Sequence, residues 1–302
     1  MTRDMAASVR GRLMNQSKQS GRPFQELLTY FAMERFLFRL SQSPHADRFV
    51  LKGALMFAVW GAPQSRATRD IDLLAHAENS VDSMTEMMRS VCEQSVAEDG
   101  IVFLPETVKG IVIKEDADYE GVRVTFVATI QNARIPMQID IAFGDVIHPS
   151  ATAIVYPGML DFETAELSGY PRESVIAEKF EAMTQLGQLN SRMKDFYDIL
   201  ILSRQFDFDG NTLSTAIKKT FANRETKIQT EPIGLTPVFF EDRNKQAQWS
   251  GFLRKSKLPT PVTSLADVVE ELRVFLLPIA DGIARNKDAA GEWRAPGPWS
   301  SE

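Results

Sequence analysis

An α+β fold, a sheet lobe followed by a mainly helical lobe, is predicted for this 302-residue chain by three observations. Strict alternation in VRVTFVATI (122–130) and QIDIAF (138–143) is that of strands with one buried face. The second half instead carries apolar residues at helical spacing, and Pro232, Pro237, Pro259 and Pro261 punctuate the links between its helices. The length favours two lobes over one. The expected division is 1–161, 162–290, and a mobile Pro/Gly/Trp-rich tail over 291–302.

In chain order, Leu27, Leu28, Phe31 and Phe38 predict a helix over Phe24–Leu40, with Pro23 suited to its first turn. Gly53–Trp60 reads as a short buried helix closed by Gly61, and Ile71–Leu74 as a strand. Asn79–Val96 is an amphipathic helix starting at Asn79 or Ser80. Extended stretches follow at Ile101–Leu104, Gly110–Ile113, Val122–Ile130 and Pro136–Phe143. Glu173–Leu186, Arg192–Arg204, Leu213–Phe221 and Leu265–Ala284 are the helices of the second lobe. A cleft between a sheet lobe and a helical lobe is a natural ligand site.

Composition excludes several classes of function. With 44% hydrophobic and 25% charged residues the chain is neither disordered nor membrane-spanning, and runs such as Ala54–Trp60 and Phe196–Leu202 fall short of a bilayer crossing. No secretory signal is visible at the N-terminus, so a cytoplasmic protein is expected. The single cysteine, Cys92, sits on the apolar side of a helix and reads as core rather than nucleophile. A net charge of -6 argues against long-range attraction to phosphate backbones. Local basic runs remain as RNA contacts or plain solvated faces: Arg3–Arg22 with five basic residues and one acid, and Arg243–Lys257 with five and none.

The chemistry centres on Asp70-Ile71-Asp72. One intervening residue on a strand points both carboxylates to one face. Acids this close repel unless a cation lies between them, and magnesium takes carboxylate oxygens together with substrate phosphates. Alone, a D-x-D is common on wet strands. Two neighbours strengthen it: the Lys52-Gly53-Ala54 turn, where backbone N–H groups can meet a phosphate, and Asp140 on an alternating strand as a third carboxylate. Three carboxylates can hold two cations for phosphoryl transfer. Arg66 and Arg69 flank the dyad and can counter triphosphate charge, and Ser65 and Thr68 carry hydroxyls that reach a phosphate or cap their own loop. His45, His76 and His148 have no metal-ligand spacing. Trp249 and Phe252 suit base stacking or, more simply, helix core.

FVLKGALMF, TRDIDLL, QIDIAFGD, ESVIAEKFEAMTQLGQLNSRMKDFYDILIL and FEDRNKQAQWSGFLRK together resemble the AbiEii/AbiGii toxin family of the nucleotidyltransferase (polymerase-β-like) superfamily, over Phe49 to Lys255. The AEKF…SRMKDFYD block is the most specific of them. The resemblance implies a nucleotidyltransferase-fold mixed sheet with flanking helices, Mg2+ or Mn2+, an NTP substrate, an RNA acceptor such as a tRNA 3′ end, and a cognate antitoxin. It also implies that Lys179 and an aspartate of KDFYD complete the site. Lys179 borders the Ile176, Phe180, Met183 stripe, and Asp195 and Asp198 share a helix face, with Asp198 better placed among apolar neighbours. Arg192 and Lys194 can hold phosphate or cap a helix. The chain departs from the family pattern in having Gly53-Ala54 for the usual Gly-Gly or Gly-Ser, and a longer stretch from Gly53 to Asp70.

The enzyme reading is transfer of a nucleoside monophosphate from an NTP to an acceptor, most readily the 3′ end of tRNA, with pyrophosphate released, in a toxin–antitoxin or phage-defence system. Transfer onto a protein hydroxyl is the variant within that class. The alternatives outside it are a nucleotide-sensing or partner-binding module without turnover, and kinase or nuclease action on the same metals.

Overall fold

The computed structural model describes residues 4–62, 68–116, 119–256, 264–287 and 291–300. Its chain divides into two compact units, one of Met1–Gly61, Ala67–Gly144 and Thr152–Gly169, the other of Ala62–Arg66, Asp145–Ala151 and Tyr170–Glu302.

The first unit is built on a seven-stranded mixed sheet in the order β3-β4-β5-β2-β1-β7-β6, from β1 (Phe49–Lys52), β2 (Ile71–Ala75), β3 (Val102–Asp116), β4 (Tyr119–Ile130), β5 (Ala133–Phe143), β6 (Thr152–Val155) and β7 (Glu166–Gly169). β2 runs parallel to β5 and β1 to β7, while the other neighbours are antiparallel. The period-2 pattern decides which face is covered. Ile135, Met137, Ile139 and Ile141 of β5 and Val122, Val124, Phe126 and Ala128 of β4 are buried in one apolar core, as are Ile71 and Leu73 of β2. That core is shared with α1 (Met5–Ser20), α2 (Phe24–Gln42) and α4 (Val81–Glu93) through residues such as Leu13, Phe31, Phe36 and Met88. Asp4 caps α1 and Ser80 caps α4, each side chain accepting a first-turn N–H. The alternate residues, Gln138 and Asp140 among them, take the opposite face.

Two expectations are corrected in this unit. The stretches expected at Ile101–Leu104 and Gly110–Ile113 fall, from Val102 onward, in one strand, β3, whose register shifts between Leu104 and Lys109. The predicted helix Gly53–Trp60 is a 3-10 turn (Gly53–Leu55) and a single α turn, α3 (Met56–Val59). Cys92 is a core residue of α4, and burial pushes its thiol up to about 12.

The second unit is helical: α5 (Arg172–Leu186), α6 (Met193–Gln205), α7 (Gly210–Asn223), α8 (Pro237–Phe240), α9 (Arg243–Ser256) and α10 (Leu265–Ala284). Aromatic pairs pack its interior, Phe180 with Phe221 at 5.5 Å and Phe196 with Phe239 at 5.3 Å between ring centres. Trp249 is buried in α9 and faces Phe252, so it reads as core and not as a stacking platform. Residues 291–300, expected to form a mobile tail, instead pair. β8 (Phe208–Asp209), β9 (Glu292–Trp293) and β10 (Trp299–Ser300) make a small sheet. Trp293 supplies the cause, being buried against Phe275 with its indole N–H donating to Ser203 O at 2.7 Å.

Candidate active site

Strand register assembles the site. Lys52 of β1 lies opposite Asp72 of β2, Asp72 opposite Asp140 of β5, and Asp140 opposite Arg123 of β4. Register partners share a face, so four adjacent strands present a row of cation, carboxylate, carboxylate, cation. Asp70, two residues before Asp72, adds the third acid, and Asp70, Asp72 and Asp140 each offer an oxygen within 4.8 Å of the others. The apolar residues between them, Ile71, Leu73, Ile139 and Ile141, are buried on the opposite face and fix the strands that carry the acids.

Each carboxylate is held. Arg123 donates to both oxygens of Asp140, Nε to Oδ1 and Nη2 to Oδ2 at 2.7 Å each, and Gln138 Nε2 adds contacts at 3.2 and 3.3 Å. Thr68 donates its hydroxyl to Asp70 Oδ1, while its backbone N–H donates to the Tyr30 hydroxyl of α2 at 3.0 Å. Gly53, at φ 71°, brings its backbone against Asp72: a Cβ there would lie 1.8 Å from Asp72 Oδ2. The glycine is thus explained by close approach to a carboxylate. The helix after it is too short to aim a dipole at a phosphate.

The donor set fits hard divalent cations. Three carboxylates face two fixed cations in the row, which leaves a net negative charge, and every oxygen is a ligand of the kind Mg2+ or Mn2+ takes. A separation within 4.8 Å closes around one ion by small side-chain rotations, since such ions bind oxygen at about 2.1 Å.

Lys179, Asp195 and Asp198 lie in the second unit. Lys179 Nζ sits 2.7 Å from Asp195 Oδ1 and 2.9 Å from Asp198 Oδ2, and Arg192 Nε donates to Asp195 Oδ2 at 2.6 Å. Both acids are buried. Burial alone would raise Asp195, yet Lys179 and Arg192 prevail and hold it below the usual carboxylate range. Arg69 is exposed at the entrance to β2, Ala54 follows Gly53 in the 3-10 turn, and Arg66 and Ser65 lie outside the described residues.

Arg123 and Gln138 escaped the sequence reading. The alternation of VRVTFVATI places Arg123 on the half-buried face, but only the β4–β5 register sets it opposite Asp140.

The AbiEii nucleotidyl transferase toxin family (type IV toxin–antitoxin system) matches residues 35–271. No curated protein matches the chain. Two solved structures are similar to it. JHP933 from Helicobacter pylori is 14% identical, with 87% of this chain and 94% of that chain covered at a TM-score of 0.49. A protein of H. pylori described as a candidate nucleotidyltransferase is 15% identical, with 87% and 98% covered, also at 0.49. The family match spans the sheet strands with all three carboxylates and the Lys179 helices as well, and the chain belongs to the AbiEii family of nucleotidyl transferase toxins.

Proposed function

We propose that the protein transfers a nucleoside monophosphate from an NTP to the 3′-terminal hydroxyl of an RNA, most readily a tRNA, with release of pyrophosphate. The observation that carries this reading is the convergence of Asp70, Asp72 and Asp140 on one sheet face beside Gly53. Divalent cations, when bound there, neutralise phosphate charge and lower the pKa of the attacking hydroxyl. The acceptor oxygen forms a bond to the α-phosphorus, the bond to the bridging oxygen breaks, pyrophosphate leaves, and the hydroxyl proton passes to solvent. Asp70, Asp72 and Asp140 would hold the cations, with Asp140, fixed by Arg123, on the acceptor side. Lys52, Gly53, Ala54, Arg66 and Arg69 serve the triphosphate. Lys179, oriented by Asp195 and Asp198, is proposed as a phosphate contact on the strength of the resemblance. A growth-arresting activity of this kind calls for a cognate antitoxin. No described helix is long and apolar enough to cross a membrane.

The test is incubation with each labelled NTP, Mg2+ and total tRNA, comparing the wild type with Asp72→Ala. Label moves to RNA in the first and falls by about a thousandfold or more in the second, the scale of losing an essential catalytic group. No label on RNA with any NTP overturns the reading. Label on protein alone redirects it to protein hydroxyls, and shortened RNA to a nuclease.

A further inference from the structure

A cavity of about 860 Å³ opens within the first unit beside the carboxylates. It is lined by Thr68 and Arg69 at the entrance to β2, Gln138 of β5, Thr125 of β4, Lys109 of β3 and the first turns of α2. Two of these residues touch the acids themselves: Thr68 donates to Asp70, and Gln138 to Asp140. Gly53 approaches Asp72 from β1, the strand on the far side of β2 from β5 and β4. The site therefore has two flanks. The transferase reading assigns the triphosphate to the Lys52-Gly53 flank, and the cavity occupies the flank nearest Asp140.

We propose that this cavity seats the 3′-terminal nucleotide of a single-stranded RNA end, with its hydroxyl toward Asp140. The assignment deepens the transferase reading and rests on it for the identity of the reacting group. The volume lies within the range of small-ligand sites. Lys109 is exposed and has no ion-pair partner among the described residues, so it is available to the phosphates of an incoming strand. Thr125 and Gln138 offer uncharged hydrogen bonds, and Val127 and Pro136 offer apolar surface on which a base can lie. Of the two lining acids, Glu26 is already paired with Arg22 at 2.6 Å, and Glu106 can accept from an exocyclic amine.

The cavity is built into the sheet. β3 pairs Leu104 with Val127 and then Lys109 with Thr125, so the residues between bulge away from β4. Thr107 pins that bulge, its hydroxyl accepting the Val127 N–H at 2.9 Å and donating to Leu104 O at 2.7 Å.

Fluorescence anisotropy of a 5′-labelled single-stranded RNA with a free 3′ end, on the full chain, tests the assignment alongside transfer kinetics. Lys109→Glu reverses an exposed charge and Thr125→Tyr fills the cavity. Each is expected to weaken RNA binding about tenfold or more and to leave the NTP KM unchanged. If Thr125→Tyr melts early, Lys109→Glu alone decides. Equal RNA affinity in wild type and Lys109→Glu overturns the proposal even where transfer proceeds. A raised NTP KM with unchanged RNA affinity also overturns it, by placing the donor nucleotide there. A wild type that binds RNA tenfold better than Lys109→Glu yet moves no label from any NTP supports the pocket and sinks the transferase reading.

Discussion

At Gly53 a single methyl group would collide with the Asp72 carboxylate of the proposed metal site, 1.8 Å from Oδ2, at a φ of 71° that L side chains rarely adopt. Gly53→Ala therefore separates site geometry from fold. The strained φ costs about 1–2 kcal/mol, a fall in Tm of a few degrees, whereas displacement of Asp72 lowers kcat by about a hundredfold. Calorimetry and the labelled-NTP assay on one preparation check both, and a variant with full kcat refutes the role given to this close approach. The sequence shows that a glycine precedes the dyad. Its purpose was not legible there, because the phosphate-binding helix expected after it is one turn long and the true neighbour, Asp72, comes from an adjacent strand.

Among the elements, α2 carries a buried charge cluster. Arg35 and Arg39, one turn apart, both grip the buried Asp99, Arg35 Nε at 2.9 Å and Arg39 Nη1 at 2.7 Å. Asp99→Asn leaves two buried guanidinium groups short of their counter-charge and is expected to cost about 3–5 kcal/mol in urea unfolding. Glu34, on the same helix, behaves oppositely to a paired acid. Burial dominates over the Met159 N–H and Arg35 beside it and pushes its carboxyl up to about 7. The folded chain keeps this proton until about pH 7, whereas the unfolded chain releases it near 4.5, so the folded state binds more protons between those values. Stability from this group is complete below about pH 4.5 and is lost as pH rises through 7. Relative to Glu34→Gln, the wild type should lose on the order of 3 kcal/mol between pH 4.5 and pH 8. Parallel stability profiles for the two proteins would contradict the assignment. The helix itself was legible from its apolar spacing. Its pairing with Asp99, about sixty residues away, was not, since nothing local in AEDG marks a buried acid.

For the whole molecule, the two-part layout could be read from the switch between period 2 and helical spacing, because each period reports which face a single element buries. The row Lys52, Asp72, Asp140, Arg123 could not, since register between distant strands is a property of the sheet. The distribution of charge follows the same division. A net charge of -6 gives no long-range pull on RNA, so docking of the proposed RNA acceptor would rest on local positive surface. In the basic run of α9, Lys245 is buried and donates to Asn190 O at 2.8 Å, which removes it from that role, and Lys257 lies outside the described residues. Arg254 and Lys255 are exposed and make no ion pair among the described residues. Reversing both charges should raise the KM for full-length tRNA about tenfold at low salt and leave the NTP KM unchanged. Each lost phosphate contact also removes a released counterion, so the slope of log affinity against log salt should shrink by roughly 2 for the pair. An unchanged tRNA KM with an unchanged salt slope would exclude this face of α9 from RNA docking and leave the electrostatic contribution to cations elsewhere, such as Lys109.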